Sequence, residues 1–179
     1  MTSVRHSVPI SGRRCGPCGF DFTGDLAVCA HAAESFPVTL TGILESADSA
    51  TVRHRTEPHV WSLIEFGAHT GEAVQWYLER IRQVLAEDRP QLTPIDWNEQ
   101  AELGEYRRRS VQRVCGEVTE ACAELVTMIN TLTPEELARE GIGSDGSPRS
   151  IEILIARADH ELVHHEHDLQ LIRRQLSKA

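Results

Sequence analysis

Residues 150–176 read SIEILIARADHELVHHEHDLQLIRRQL, and this stretch decides the fold. Ser150 follows a connection rich in Gly, Ser and Pro, so it marks a helix start. Arg173 and Arg174 stand near the other end, where the negative end of a helix dipole favours positive charge. The stretch therefore predicts a long helix near the end of the chain, and this helix carries four of the nine histidines.

Two helices are predicted from start signals in the first half of the chain. Ser35 is a candidate N-cap of the segment SFPVTLTGILESA, and Pro37 would lie in its first turn, where a missing N–H costs little. Ser62 and Glu65 have the spacing of a capping box, in which each side chain bonds the other residue's backbone N–H. The second helix should run from there to about residue 88.

The remaining segments complete an all-α pattern. Apolar residues spaced three and four apart predict an amphipathic third helix from about Asn98 to Leu132. The segment QLTPIDW at 91–97 is typical of a connection, TPEEL at 133–137 of a short helical turn, and REGIGSDGSPRS at 139–150 of a loop. Because no segment alternates like a strand, the fold class is predicted to be a four-helix bundle.

The N-terminal region has a different composition from the bundle. Glycines and a cysteine pair predict an irregular arm over residues 1–32, and the bundle is expected over 33–179. A chain of 179 residues suits one core. The arm has no apolar segment before a cleavage site, which argues against a secretory signal and favours the cytoplasm.

Charge and hydropathy narrow the classes of partner. The net charge of −9 repels phosphate backbones and disfavours a nucleic-acid partner. No stretch reaches the roughly 18 consecutive apolar residues that a membrane span needs. A small-molecule substrate is the expectation, and the apolar helix faces are compatible with a homodimer.

The histidines near the end of the chain suggest a chelate. A helix turns about 100° per residue, so His160 and His164 project from one face, with His167 close to them. His165 should point roughly 140° away from His160 and be solvated. A third histidine, His69, lies within the second predicted helix among residues that look core-facing. We therefore predict a divalent metal held by His69, His160 and His164.

Three carboxylates near these histidines are candidates for proton transfer or for orienting the imidazoles: Glu65, Glu161 and Asp168. Imidazole ligands accept zinc, nickel, copper and iron, so the sequence leaves the metal open. The alternative interpretation is that the histidines form a polar helix face without metal, and for a lone His pair this is at least as common.

These residues resemble a known family. The pattern Trp61, Ser62, Glu65, His69 and the His160-x-x-x-His164 pair are similar to the DinB/YfiT superfamily of four-helix bundles. The resemblance implies a metal held by three histidines, at the positions of His69, His160 and His164. It also implies a thiol-dependent transferase or isomerase that uses mycothiol or bacillithiol, and often a dimer. The arm sequence CGPCGFDF resembles the start of some actinobacterial members, which would fit mycothiol as cosubstrate.

The five cysteines do not suggest a disulfide framework, because their number is odd. Four arm residues are candidate ligands of a second, structural zinc: Cys15, Cys18, Cys29 and His31. A reversible disulfide between Cys15 and Cys18, or no special role, are the alternatives that the sequence leaves open. Cys115 and Cys122 are expected to be core residues.

Three functions remain open on the sequence alone. The leading hypothesis is an enzyme in which the metal lowers the pKa of a bound thiol or water and so creates a nucleophile. A zinc- or redox-sensing module built on the Cys15–Cys18 pair is the second hypothesis. A bundle whose histidines are purely structural is the third.

Overall fold

The structure is a computed structural model, and it describes residues 14–22 and 25–176. Its elements in chain order are α1 (Leu26–Glu45), α2 (Leu63–Ala86), α3 (Trp97–Leu103), α4 (Val111–Thr131), α5 (Pro134–Leu137), β1 (Glu140–Ile142), β2 (Pro148–Ser150) and α6 (Ile151–Leu176). The four long helices confirm the predicted all-α bundle. The terminal parts of the predicted arm and bundle, 1–13 and 177–179, lie outside the described residues.

The four long helices have a diagonal order. α1 and α2 each pack against both α4 and α6, whereas α1 and α2 barely touch each other. α1 and α2 therefore stand at opposite corners of the bundle, and α4 and α6 occupy the other two. Fully buried side chains from all four helices meet along the axis, among them Leu40, Leu78, Leu125 and Ile155.

Helix α1 starts nine residues before the predicted N-cap at Ser35. Asp25 caps it instead by accepting a 2.9 Å hydrogen bond from the Ala27 N–H. Pro37 lies inside the helix, where a proline removes one backbone hydrogen bond. Phe36 and Leu40 are buried on either side of it, and this packing compensates for the lost bond.

Helix α1 also has the length and mean hydropathy of a membrane span, the one such helix in the part of the chain that the structure describes. One face of it packs in the bundle, with Phe36, Leu40 and Leu44 buried against α4 and α6. Core helices have the same properties, so length and composition alone do not indicate a membrane.

The predicted third helix is interrupted. α3 ends at Gly104, Glu105 adopts a left-handed backbone with φ of 47°, and α4 begins only at Val111. The break turns Tyr106 and Arg109 inward, where both contact the Glu72 carboxylate of α2. The bundle gains a buried, paired polar network that an unbroken helix would keep on its surface.

The other predicted elements match the structure closely. The capping box of α2 is present, and Thr133 and Glu136 form a second one at the start of α5. The predicted loop before α6 contains a small antiparallel hairpin, in which Glu140 pairs with Ser150 across β1 and β2. Gly146 makes its turn with φ of 78°, which an L residue rarely adopts. The hairpin leads directly into α6.

The acid Asp159 provides a pH-dependent test of the core. It is 1% exposed on α6, and its titratable neighbours are the thiols of Cys29 and Cys122. Burial raises its pKa to about 6, although the neighbouring Cys29 thiol opposes the shift. Because the pKa is higher in the folded than in the unfolded chain, the folded protein loses stability as pH rises from about 4 to about 7.

We therefore expect Asp159→Asn to be more stable than the wild type at pH 8, by about 2–3 kcal/mol, and to lose this advantage towards pH 4. Asparagine has nearly the same shape as aspartate, so the substitution mainly removes the charge. Urea unfolding of both proteins at several pH values under identical metal conditions measures the difference. An advantage that does not change with pH would contradict the assignment.

Candidate metal centre

Helix α2 carries His69 into the centre of the bundle. The start of the helix is secured by Glu65, whose carboxylate accepts hydrogen bonds from the Ser62 N–H at 2.9 Å and from the Ser62 hydroxyl at 2.6 Å. Two turns later His69 is 0% exposed, and neither ring nitrogen completes a hydrogen bond with another described residue. Trp61 and Trp97 contact the ring at 4.9 and 4.7 Å between centroids.

Helix α6 places Glu161 and His165 opposite this ring. The Glu161 Oε2 atom lies 3.4 Å from His69 Nε2 and 3.2 Å from His165 Nε2. The two imidazole rings stand edge to face, 4.8 Å apart. We call His69, Glu161 and His165 the interior cluster. One potential ligand atom from each lies within 4.8 Å of the others.

The interior cluster fits a divalent metal by distance and by chemistry. A tetrahedral ion with bonds of about 2.0–2.1 Å keeps its ligand atoms about 3.3–3.4 Å apart, which is close to the two distances to Glu161. Two imidazoles and one carboxylate form a donor set of catalytic zinc and iron sites, in which at least one coordination position stays open. The buried Nε2 atom of His69 would gain the partner that it lacks among the described residues.

Asp168 orients one of these ligands. Its Oδ2 atom lies 3.0 Å from His165 Nδ1, so the carboxylate holds the imidazole with Nε2 directed at Glu161. Burial would raise the pKa of Asp168, but the hydrogen bond and charge of His165 lower it below its usual range. A carboxylate behind a ligating histidine fixes its tautomer and raises its basicity.

A proton on His165 offsets one of the two carboxylate charges in this group, those of Glu161 and Asp168. Burial opposes a charge on His165, but its bonds to Asp168 and Glu161 raise its pKa to about 9. Burial lowers the pKa of His69, and His165 and His69 together lower that of Glu161 despite its burial. Glu161 is therefore ionised, His69 neutral and His165 the proton carrier. A divalent cation would take the place of that proton.

The predicted histidine triad is divided between two places. His160 and His164 face the N-terminal arm, where Cys15 Sγ lies 3.4 Å from His164 Nδ1. A ligand atom from each of Cys15, Cys18, His160 and His164 lies within 4.8 Å of the others. We call these four the arm cluster. His69 alone of the triad belongs to the interior cluster, so the structure does not bring the three predicted ligands together.

The expectation that His165 is solvated was wrong, because its exposed fraction is 2%. Residues 160–165 contain two overlapping pairs at i, i+4 spacing, His160–His164 and Glu161–His165, and the second pair is the one that faces His69. Its signal is present in the sequence: Leu154, Ala158, Ile172 and the pair follow a four-three spacing, and all three apolar residues are buried. His167, expected near His160, has a side chain that is 40% exposed and belongs to neither cluster.

The three candidate carboxylates, Glu65, Glu161 and Asp168, differ in position and in the contacts that they make. Glu161 is a potential ligand and Asp168 orients His165, as described above. Glu65 points away from the metal candidates, because Arg55 and Ser62 occupy its oxygens. Its ion pair with Arg55 and its hydrogen bonds to Ser62 lower its pKa in spite of burial. Glu65 supports the start of α2.

The structure also separates the four ligands that were predicted for a zinc site in the arm. Cys15 and Cys18 lie together, but Cys29 lies on α1 beside Asp159, and His31 is exposed. Because Cys29 falls inside α1, its side chain packs into the bundle and cannot close a site within the arm. Cys122 is buried in the core and Cys115 packs partly buried against it, as predicted.

Two comparisons with known proteins agree with the fold described above. A family model described as the DinB superfamily matches residues 34–168. The structure is similar to that of YfiT from Bacillus subtilis, described as a probable metal-dependent hydrolase with an unusual four-helix bundle topology. The TM-score is 0.79 at 15% identity, over 97% of this chain and 92% of that chain. At this identity the likeness shows the fold. No curated protein matches the chain significantly in sequence.

The interior cluster predicts the effect of removing its ligands. We expect His69→Gln and His165→Gln each to lose one equivalent of bound divalent metal relative to the wild type, since two remaining ligands hold an ion weakly. His167→Gln is the matched control, because it removes an exposed histidine of the same helix. Elemental analysis of the purified, reconstituted proteins measures the content. Equal metal in all four proteins would exclude the interior cluster as the site.

Proposed function

This chain belongs to the DinB superfamily, and on that premise we propose that it is a divalent-metal-dependent enzyme of small molecules with the interior cluster as its reactive centre. The observation that carries the proposal is the convergence of His69, Glu161 and His165 from two helices in a buried place. A donor set of this kind leaves a coordination position open, which favours catalysis over a purely structural role.

The chain's own groups define the chemistry at this centre. His69, Glu161 and His165 would hold zinc, nickel or iron, and Asp168 would keep His165 in its ligating tautomer. A cation held there lowers the pKa of a bound water or thiol, so that the nucleophile is available near neutral pH. The aromatic rings of Trp61 and Trp97 around His69 keep bulk water away.

We propose that a substrate reaches the interior cluster from the side on which Glu161 lies. The Glu161 side chain is 17% exposed, whereas those of His69 and His165 are 0% and 3% exposed. Tyr77 and Arg157 both lie near this carboxylate. The Arg157 Nε atom is buried and has no hydrogen-bond partner among the described residues. A guanidinium with an unused donor suits a substrate that carries a carboxylate or a similar anion.

The finer part of the proposal is thiol transfer. The arm sequence CGPCGFDF resembles members from organisms that use mycothiol, and this resemblance supports a mycothiol-type cosubstrate. The thiolate sulfur would bond to an electrophilic carbon while the leaving group departs and takes up a proton. A cytoplasmic location, where thiols stay reduced, belongs to this proposal.

Hydrolysis is the second candidate reaction. It is favoured by the similarity in fold to YfiT, which is described as a probable metal-dependent hydrolase. The same centre would then activate water in place of a thiol. A sensing module is disfavoured, because Cys15 is 3% exposed and burial raises the pKa of Cys18 to about 11, which leaves little reactive thiolate.

The test is turnover by the metal-loaded protein. We expect the wild type to consume mycothiol together with an electrophile that bears a carboxylate, and His165→Gln to lose at least about 100-fold in kcat/KM through the lost ligand. His167→Gln should keep the activity. Loss of free thiol and formation of the conjugate, followed by mass spectrometry, measure the rate.

Two results would change the proposal. Hydrolysis of esters or amides without any thiol, lost in the same variant, would replace transfer by hydrolysis. Turnover that survives in both His69→Gln and His165→Gln would remove the interior cluster as the reactive centre.

A further inference from the structure

Residues 14–22 of the N-terminal arm fold into a tight turn that holds two thiols together. The Cys15 N–H donates to the Phe20 carbonyl at 2.8 Å, and the Gly19 N–H donates to the Cys15 carbonyl at 2.9 Å. Gly19 has φ of 75°, which favours glycine at this position. Residues 14–22 are too short a segment to enclose a core of their own.

The turn lies against one face of α6. Phe20 and Phe22 pack on the ring of His160, with centroids 5.3 and 4.9 Å away. Cys15 lies against His164, one helical turn further along. The imidazole pair of α6 and the thiol pair of the arm therefore face each other across one contact.

We propose that Cys15, Cys18, His160 and His164 bind a structural zinc ion that fastens the arm to α6. Two thiolates and two imidazoles are a complete tetrahedral set, and sulfur ligands select zinc over harder ions. Their ligand atoms lie within 4.8 Å of one another. The Cys15 Sγ to His164 Nδ1 distance of 3.4 Å is close to the edge of a ZnS2N2 tetrahedron, about 3.6 Å.

The unsatisfied atoms of the arm cluster favour metal over a plain hydrogen bond. A thiol–imidazole bond between Cys15 and His164 would leave His160 Nε2 buried without a partner, as it is among the described residues. A disulfide between Cys15 and Cys18 would leave both imidazoles without the thiolates. A zinc ion uses one atom of each side chain and leaves none of the four unpaired.

A carboxylate stands behind one imidazole of this site. His164 Nε2 lies 3.5 Å from Asp168 Oδ2, on the side of the ring opposite Cys15. With Nδ1 on zinc, the Nε2–H of His164 would be directed at Asp168, the same residue that orients His165. Such outer carboxylates usually accompany ligating histidines.

The arm cluster would therefore be closed, in contrast to the interior cluster. Four protein ligands leave no position for water or substrate, so the ion contributes folding energy instead of reactivity. This inference does not depend on the proposed function, because it uses different ligands and a different face of α6.

The first experiment uses cobalt(II) as the probe. We expect the cobalt-loaded wild type to show a sulfur-to-cobalt charge-transfer band and intense tetrahedral visible absorption. His69→Gln should keep both, because it spares the arm cluster. Cys18→Ser and His160→Gln should lose the charge-transfer band, while Cys29→Ser, which removes a buried cysteine outside the cluster, should keep it. A wild type without the charge-transfer band would overturn the inference.

A second measurement leaves all four residues of the arm cluster unchanged, so it does not require the Cys18→Ser and His160→Gln variants to fold. X-ray absorption of zinc-loaded His69→Gln, in which the arm cluster is the remaining site, should show two sulfurs at about 2.3 Å and two nitrogens at about 2.0 Å. The zinc-loaded wild type serves if that variant is unstable, and sulfur should still appear in its averaged shell. A shell without sulfur, or a Cys15–Cys18 disulfide in the native protein by mass spectrometry, would overturn the inference.

Discussion

Helix α6 buries hydrogen-bonding side chains on two of its faces, and each of those faces needs a partner. Groups of this kind cost several kcal/mol inside a protein when they are left unpaired. Towards α2, Glu161 and His165 meet His69. Towards the arm, His160 and His164 meet two cysteines. The position of α2 against α6, and that of the arm against α6, follow from this requirement as much as from apolar packing.

Asp168 joins the two faces. Its Oδ2 atom lies 3.0 Å from His165 Nδ1 and 3.5 Å from His164 Nε2. One carboxylate therefore contacts an imidazole from each cluster, although the two histidines are adjacent in the chain and point in different directions. A cation in either cluster would change the charge that Asp168 faces, so the two sites are electrostatically coupled through a single group.

The start of α2 holds the interior cluster in place. Glu65 binds Ser62 and Arg55, and Trp61 contacts the His69 ring from the residue before the cap. This part of the bundle resists rotation of α2, because turning the helix would separate Glu65 from Arg55 and expose the imidazole. The pattern of Trp61, Ser62, Glu65 and His69 thus joins a helix start to a ligand two turns later.

The sequence alone determined the helices and most of their ends. Periodicity, the Ser62–Glu65 box and the basic residues near the end of α6 are local signals, and local backbone energetics decide local structure. It also identified His69 and the histidine-rich segment as chemically important. The broken third helix was not predicted, because Glu72 on another helix draws Tyr106 and Arg109 inward.

Only the tertiary structure decided which histidines meet. His160–His164 and Glu161–His165 have the same spacing, and they differ by one residue, or about 100° of helix rotation. Local sequence places both pairs on α6, but the direction that each pair faces depends on how α2 and the arm pack against that helix. Cys15 and His164 are 149 residues apart in the chain, and no local signal connects them. Their contact depends on the way the whole bundle buries α6.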